Sequence, residues 1–159
     1  MPLLRPTVTP DVSGILSLID AVYREYDCTL DAEHEERYLL EPGTYFRDGG
    51  GEFWVVEEAG EILATVAVLL RDDTAELKSL YVHPSLRRQG WGRRLVDVAI
   101  EHARRMGQTQ MMLWTDTRFA DAHRLYRGMG FRECGARELH DSNNTVEYGF
   151  EMSLGVTSC

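Results

Sequence analysis

The sequence RRQGWGR at residues 87–93 has the residue types and spacing best suited to bind an anion. The window 78–105 holds seven Lys or Arg against two acids, a local balance of +5, in a chain of formal net charge -9. The remaining residues therefore carry -9 minus 5, or -14. Since charge of one sign attracts ligands of the other, we expect an anion at this window and a cation elsewhere.

Two glycines, Gly90 and Gly92, stand where a strand ending at Val82 gives way to a helix. The first N–H groups of a helix lack an intrahelical partner and carry the positive end of its dipole, so this position suits a phosphate. Glycine lets the backbone approach an anion closely, and the nearby arginines add charge. The alternative is that the glycines only ease the turn while the arginines are solvated.

The glycine spacing differs from that of two common phosphate loops. The nucleoside-triphosphate loop ends in Gly-Lys-Ser/Thr, a triplet that the sequence does not contain. The dinucleotide fingerprint needs a third glycine at the position of Leu95. Both loops are therefore excluded.

The longer pattern ELKSLYVHPSLRRQGWGRRLVDVAIEHARRMG resembles the acetyl-coenzyme A motif of the GNAT superfamily of N-acetyltransferases. In that motif a strand, a turn of the form Arg/Gln-x-x-Gly-x-Gly/Ala and a helix hold the coenzyme pyrophosphate; Arg87, Gly90 and Gly92 occupy the three positions. A second superfamily feature, a helix ending in Tyr-x-x-x-Gly-Phe, matches LYRGMGF at 125–131. The resemblance implies acetyl-coenzyme A as co-substrate and an amine acceptor. The coenzyme-binding residues that it implies are Leu80, Tyr81, Val82, Arg87, Arg88, Gln89, Gly90, Trp91, Gly92 and Arg93. The five histidines show no i, i+4 pair, so we expect no metal.

Acetyl transfer from a thioester to an amine needs a neutral amine, a polarised carbonyl and a proton for the departing thiolate. A Lys-like amine of pKa about 10.4 is neutral in only roughly 1 part in 10³ at pH 7, so a base or desolvation must help. Glu76 resembles the general base of the histone-acetylating branch; the alternative is a solvated carboxylate paired with Lys78. Tyr126 is the expected acid, the alternative being a core tyrosine. In the superfamily, a backbone N–H of the strand 80–82 polarises the carbonyl.

An acidic segment is expected to form the acceptor wall, which favours a cationic amine. The alternative is a solvated acidic helix. The carboxylates of this segment are Glu25, Asp27, Asp31, Glu33, Glu35, Glu36 and Glu41. The aromatic residues that could line the wall or belong to the core are Tyr23, Tyr26, Tyr38, Trp54 and Trp114.

Length and composition predict one cytoplasmic domain over residues 1–159. A pI near 5.0 argues against nucleic-acid binding. The longest apolar run, residues 62–70, is less than half of the roughly 20 residues that a membrane-spanning helix needs, and the N-terminus has no signal-peptide pattern. The three cysteines, Cys28, Cys134 and Cys159, fit neither a disulfide framework nor a zinc pattern.

Hydrophobic periodicity predicts the element order β-α-α-β-β-β-α-β-α-β-β. With the resemblance, this implies an α/β fold with a GNAT-like mixed, mostly antiparallel sheet of about six to seven strands, flanked by about four helices. The second helix is expected over residues 30–40, closed by EPG.

Two rival functions remain: a non-catalytic acyl-coenzyme A binding or sensing module, and an interaction domain whose arginines meet an acidic partner. Superfamily members often dimerise, which leaves a homodimer open.

Overall fold

The computed structural model describes residues 1–155, which form seven strands, four α-helices and three short 3-10 turns. The prediction that the domain extends to residue 159 stays a prediction. The strands are β1 (Leu3–Pro6), β2 (Glu52–Glu58), β3 (Glu61–Arg71), β4 (Thr74–Val82), β5 (Gln110–Asp116), β6 (Arg132–Glu138) and β7 (Val146–Ser153). The helices are α1 (Val12–Arg24), α2 (Pro42–Arg47), α3 (Trp91–Arg105) and α4 (Ala120–Gly128).

The strands form one sheet in the order β1-β2-β3-β4-β5-β7-β6. Every neighbouring pair is antiparallel except β4 and β5, which are parallel and are joined by α3. Parallel neighbours need such a crossover, because a tight turn can join only antiparallel strands. The predicted fold class is confirmed, and the crossover places the start of α3 at the carboxyl end of β4.

Both faces of the sheet are covered, and β2 shows how one strand serves two cores. Phe53 and Val55 pack with α1 and α2 on one face, whereas Trp54 and Val56 pack with α3 on the other. A strand buried on both faces reads as a continuous apolar run, which explains the sequence FWVV. Each fully buried side chain of this size stabilises the fold by about 1.5 to 3 kcal/mol.

The prediction of a helix over residues 30–40 is wrong. The carboxylate of Asp31 accepts a hydrogen bond from the His34 N–H at 3.1 Å, which closes a local turn instead of continuing a helix. A single 3-10 turn follows at Arg37–Leu40. The α-helix of this region begins at Pro42, because proline has a fixed φ suited to the first helical position and needs no N–H partner there.

Candidate active site

The strands β4 and β5 separate along their length and open a cleft in the middle of the sheet. Their pairing begins at Thr74↔Gln110 and ends at Leu77↔Leu113. In the described part of the chain, the last residues of β4, positions 78–82, have no partner strand on the β5 side. The backbone groups on that side are therefore not used in strand pairing, and the predicted coenzyme contacts of Leu80, Tyr81 and Val82 stay predictions.

A β-bulge in β4 lies at the point where the cleft opens. Thr65 pairs with Tyr81 and Ala67 pairs with Lys78, so two residues of β4 oppose one residue of β3. Ser79 in the bulge has a φ of 56°, and its carbonyl accepts a hydrogen bond of 2.7 Å from the Thr65 hydroxyl. The bulge bends β4 away from regular pairing and fixes the direction of its last residues.

The turn between β4 and α3 presents a row of backbone donors. Arg88 and Gly90 have φ values of 64° and 82°, and the first backbone N–H bonded back to the turn is that of Arg94, at 3.1 Å from the Gly90 carbonyl. Within residues 1–155, the six N–H groups of residues 88–93 have no hydrogen-bond acceptor. Unpaired N–H groups at a helix start form an anion site.

The two positions in the turn require glycine for different structural reasons. A Cβ on Gly90 would meet no atom within 4 Å, so this glycine is required by its left-handed φ and not by crowding inside the protein. A Cβ on Gly92 would lie 3.1 Å from the Leu125 side chain. Gly92 therefore allows α4 to pack closely against α3, which brings Tyr126 beside the cleft.

One arginine of the turn has a structural role, and two are available to a ligand. Arg87 donates to both carboxylate oxygens of Glu25, at 2.6 and 2.7 Å, and to the Val82 carbonyl at 3.0 Å. It fixes the turn against the end of α1, and its predicted contact with the coenzyme stays a prediction. Arg88 and Arg93 are exposed and, in the described chain, have no carboxylate within ion-pair distance.

A cavity of about 270 Å³ occupies the open end of the cleft. Its lining includes Glu76, Leu80, Tyr81 and Tyr126, so the structure brings the predicted base, the strand donors and the predicted acid to one space. The ring of Tyr126 packs on aromatic neighbours of the core, yet the residue also borders the cavity. Burial raises the pKa of the Tyr126 hydroxyl, which therefore stays protonated at neutral pH.

Glu76 reaches the cavity with both carboxylate oxygens engaged by cations. Arg71 donates to Oε1 at 3.1 Å, and the Lys78 ammonium lies 3.5 Å from Oε2. The side chain is buried. An amine that gave its proton to Glu76 would share the carboxylate with these two cations. Its role as a base stays a prediction.

The outer wall of the cavity consists of two loops that lie far apart in the sequence. Thr29 and Asn143 exchange two hydrogen bonds, of 2.9 and 2.8 Å. Ser142 donates to Glu35 twice, from its N–H at 2.8 Å and its hydroxyl at 3.1 Å. These contacts tie the segment after α1 to the β6–β7 loop. The sequence reasoning missed this loop, and no local pattern indicates it.

The acidic segment after α1 does not act as one surface. Glu35 and Glu36 line the cavity, whereas Glu25 holds Arg87 and Asp31 and Glu33 line a separate shallow groove. In total, six carboxylates and two cations line the cavity. They are Glu35, Glu36, Glu76, Asp116, Asp141 and Glu147, with Lys78 and Arg137.

The aromatic residues named from the sequence also divide. Trp54 belongs to the core and packs edge-on to His102. The other four border the cavity; they are Tyr23, Tyr26, Tyr38 and Trp114. The cavity wall is therefore aromatic as well as acidic, a combination that suits cations.

Three observations concern metal, membrane and thiol chemistry. Among residues 1–155, no group of three His, Cys, Asp or Glu side chains is arranged to hold a metal ion. Over the same residues, no helix has the length and apolarity to cross a membrane. Cys28 and Cys134 are free thiols, and Cys159 lies outside the described residues.

Solved acetyltransferases share this fold. A GNAT-family acetyltransferase of Staphylococcus aureus Mu50 superposes with a TM-score of 0.87 at 19% identity, covering 98% of this chain and all of the other. The protein yncA of Salmonella typhimurium, solved with its cofactor acetyl-CoA, gives 0.74 at 20% identity, covering 100% and 97%. These similarities define the fold class, a sheet of this topology that solved acetyltransferases share.

Sequence comparison identifies the family. The model of the Acetyltransferase (GNAT) family matches residues 19–131, and the chain belongs to this family. The uncharacterized N-acetyltransferase YjgM of Escherichia coli is 31% identical over 136 residues, 82% of this chain and 81% of that protein. Human N-acetyltransferase 8 is 33% identical over 98 residues, 58% of this chain but only 43% of that protein. The predicted superfamily is confirmed, and the protein is an acyltransferase.

Proposed function

We propose that the protein transfers the acetyl group of acetyl-coenzyme A directly to the primary amine of a cationic acceptor. The observation that carries this proposal is the row of six unpaired N–H groups at residues 88–93, placed beside the opening of the β4–β5 cleft. Membership of the GNAT family supports the same reaction.

The turn fits the pyrophosphate of the coenzyme in both charge and geometry. Its N–H groups can donate hydrogen bonds to several phosphate oxygens, and Arg88 and Arg93 can approach the same anion because no carboxylate holds them in the described structure. Gln89, Trp91 and Gly92 contribute through their backbone. When bound, acetyl-coenzyme A supplies the acetyl thioester, which would extend along the free side of residues 80–82.

Tyr126 is the proposed acid for the departing thiolate. Its phenol borders the cavity and is protonated, because burial disfavours the phenolate. A protonated phenol can give its proton to a thiolate as the carbon–sulfur bond breaks. The packing of its ring against the core supports this role, because it limits the directions in which the hydroxyl can point.

The lining of the cavity supports a cationic acceptor. Six carboxylates against two cations give the cavity an excess of negative charge, which raises the local concentration of a positively charged substrate. Glu76 holds Lys78 in the wall, which keeps one of the two cations away from the acceptor. The aromatic rings can add cation–π contacts.

A free-thiol assay over a panel of amines tests the proposal. The panel contains a diamine, a lysine peptide, an amino acid, a peptide N-terminus and a neutral aromatic amine, each with acetyl-coenzyme A. We expect thiol release that depends on the amine and is highest for the dicationic members. Stabilisation by acetyl-coenzyme A without thiol release from any amine would contradict the proposal and favour a non-catalytic acyl-coenzyme A binding module.

A further inference from the structure

Glu36 is held at the cavity wall by a short chain of phenols. The Tyr23 hydroxyl donates to Oε1 of Glu36 at 3.2 Å, and the Tyr81 hydroxyl lies 3.4 Å from that of Tyr23. Since Tyr23 has one proton and directs it to Glu36, Tyr81 donates to Tyr23. The chain connects Glu36 to residue 81 of β4, in the segment expected to receive the thioester.

The second carboxylate oxygen of Glu36 is buried and has no hydrogen-bond partner among the described residues. A buried polar atom without a partner costs about 1 to 3 kcal/mol. Native proteins contain few such atoms, and each one points to a role or a missing ligand. Glu36 lines the cavity, and a rotation of its carboxylate group would turn this buried oxygen toward a cavity ligand that supplies the missing donor.

The other five cavity carboxylates already have partners. Three are in ion pairs, namely Glu76 with Arg71 and Lys78, Asp116 with Arg118, and Glu147 with Arg137. Two are held by hydrogen bonds, namely Glu35 by Ser142 and Asp141 by Thr145. Within residues 1–155, Glu36 is the cavity carboxylate that has a buried oxygen without a hydrogen-bond partner.

We propose that Glu36 is a catalytic residue that binds the acceptor ammonium through Oε2 and takes its proton. Tyr23 is then a positioning residue, because it fixes the other oxygen of the same carboxylate. This inference rests on the proposed acetyl transfer and assigns its proton acceptor. It differs from the sequence prediction for Glu76, whose two oxygens are engaged by cations.

The environment of Glu36 suits a base. Burial raises its pKa to about 7, which brings its proton affinity closer to that of an amine. Nearby carboxylates raise the pKa further, while the hydrogen bond from Tyr23 lowers it. The charged and titratable groups that face Glu36 are Tyr23 from α1, Tyr38 and Tyr81, Glu35 and Asp31 from its own segment, and Asp141 from the β6–β7 loop.

The proton balance of the step is complete. An ammonium proton moves to Oε2 of Glu36, and the freed nitrogen lone pair forms the bond to the acetyl carbon. The carbon–sulfur bond breaks, and the thiolate takes the Tyr126 proton. The second proton of the nitrogen restores Tyr126, and Glu36 releases its proton to solvent. One ammonium and one thioester therefore yield one amide, one thiol and one proton.

Two variants test the role of Glu36 through the dependence of kcat/KM on pH, from about 6 to 9.5, below the amine pKa of about 10.4. Wild-type activity should rise with pH and level off above about 7. Glu36→Gln should lower turnover by roughly 10² to 10⁴-fold at pH 7. The loss should shrink as pH rises, because solvent then supplies the neutral amine. Glu33→Gln, on the same segment but outside the cavity, should retain the wild-type profile.

Tyr23→Phe provides a second perturbation that a merely structural role would not reproduce. Removing a hydrogen bond that lowers the pKa of Glu36 should move the acid limb of the wild-type profile to higher pH. In the absence of any substrate, 13C NMR of the glutamate side-chain carboxyls should show one carboxyl that titrates near 7 and is missing in Glu36→Gln.

The outcomes separate this inference from the proposed function. If wild-type protein acetylates an amine while Glu36→Gln gives a profile parallel to it, Glu36 is not the base, and the proposed function stands. A Glu36 carboxyl that titrates near the ordinary 4.3 also overturns the inference. If no amine releases thiol in the wild type, both proposals fail.

Discussion

Substitution of Gly90 gives a sharp test of the anion-binding turn, because the chain contains a matched control. Gly90 and Gly60 both have a φ of 82°, and a Cβ on either would meet no atom within 4 Å. Gly60 lies in the turn between β2 and β3 and is not among the residues that line the cavity. Alanine at either position should therefore cause the same backbone strain, about 1 to 2 kcal/mol of folding free energy.

Ligand binding should distinguish the two sites. Acetyl-coenzyme A at 100 times its dissociation constant adds about 2.7 kcal/mol to wild-type stability, or roughly 5 to 11 °C in Tm for a domain of this size. Gly60→Ala should keep this shift. At Gly90 the new methyl group enters the open space over the donors; losing one charge-assisted hydrogen bond costs about 1.5 to 3 kcal/mol, so affinity should fall roughly 10 to 100-fold.

Gly90→Glu extends the series, since a side chain and a negative charge then enter the turn together. We expect no thermal shift with acetyl-coenzyme A and a melting temperature without ligand close to that of Gly90→Ala. Differential scanning fluorimetry with a titration of acetyl-coenzyme A measures all four proteins. The assignment of the turn is refuted if Gly90→Glu binds as the wild type does, or if Gly60→Ala weakens binding equally.

Three further predictions concern the cavity. Tyr126→Phe should keep folding and coenzyme affinity but lower turnover roughly 10 to 10³-fold. If steady-state kinetics show that this variant turns over as fast as the wild type, Tyr126 only packs in the core. Glu76→Gln should lower turnover less than about tenfold and by the same factor at every pH, because both its oxygens are engaged by cations; a loss that shrinks with rising pH would instead make Glu76 the base. Glu36 has a folded-state pKa above its unfolded value, so its contribution to stability is present below about 4.5 and is lost as pH rises through about 7. Between these pH values, chemical denaturation should show that the free energy of unfolding of the wild type falls by about 1 to 2 kcal/mol relative to that of Glu36→Gln, a value reduced for solvent screening. If the difference in unfolding free energy between the two proteins does not change with pH, the pKa of Glu36 is not raised.

The sequence predicted the parts of the site that lie close together along the chain. The strand before residue 82, the turn with its two glycines and the helix from Trp91 form one continuous segment, so local periodicity and turn chemistry suffice to place them. The helix that carries Tyr126 was predicted for the same reason. The family resemblance added roles to these residues.

The acceptor wall could not be predicted, because it depends on contacts between distant segments. The hydrogen bonds from Ser142 to Glu35 and from Thr29 to Asn143 span more than 100 residues. They occur beside a turn in a segment whose local propensity favours a helix. Tertiary contacts therefore override the local preference there. The burial of one oxygen of Glu36 follows from this folding, and in sequence Glu36 is one acid among several.

A single-turnover experiment can show whether the acetyl group passes directly from the coenzyme to an amine. Enzyme in excess over acetyl-coenzyme A labelled with 13C at the acetyl carbonyl is mixed with the amine that gives the highest thiol release, then quenched and analysed by NMR and mass spectrometry. Direct transfer predicts one amide-linked label on the acceptor nitrogen for each thiol released, with no label on the protein. Label recovered as acetate, or covalently attached to the protein before it reaches the amine, would contradict direct transfer.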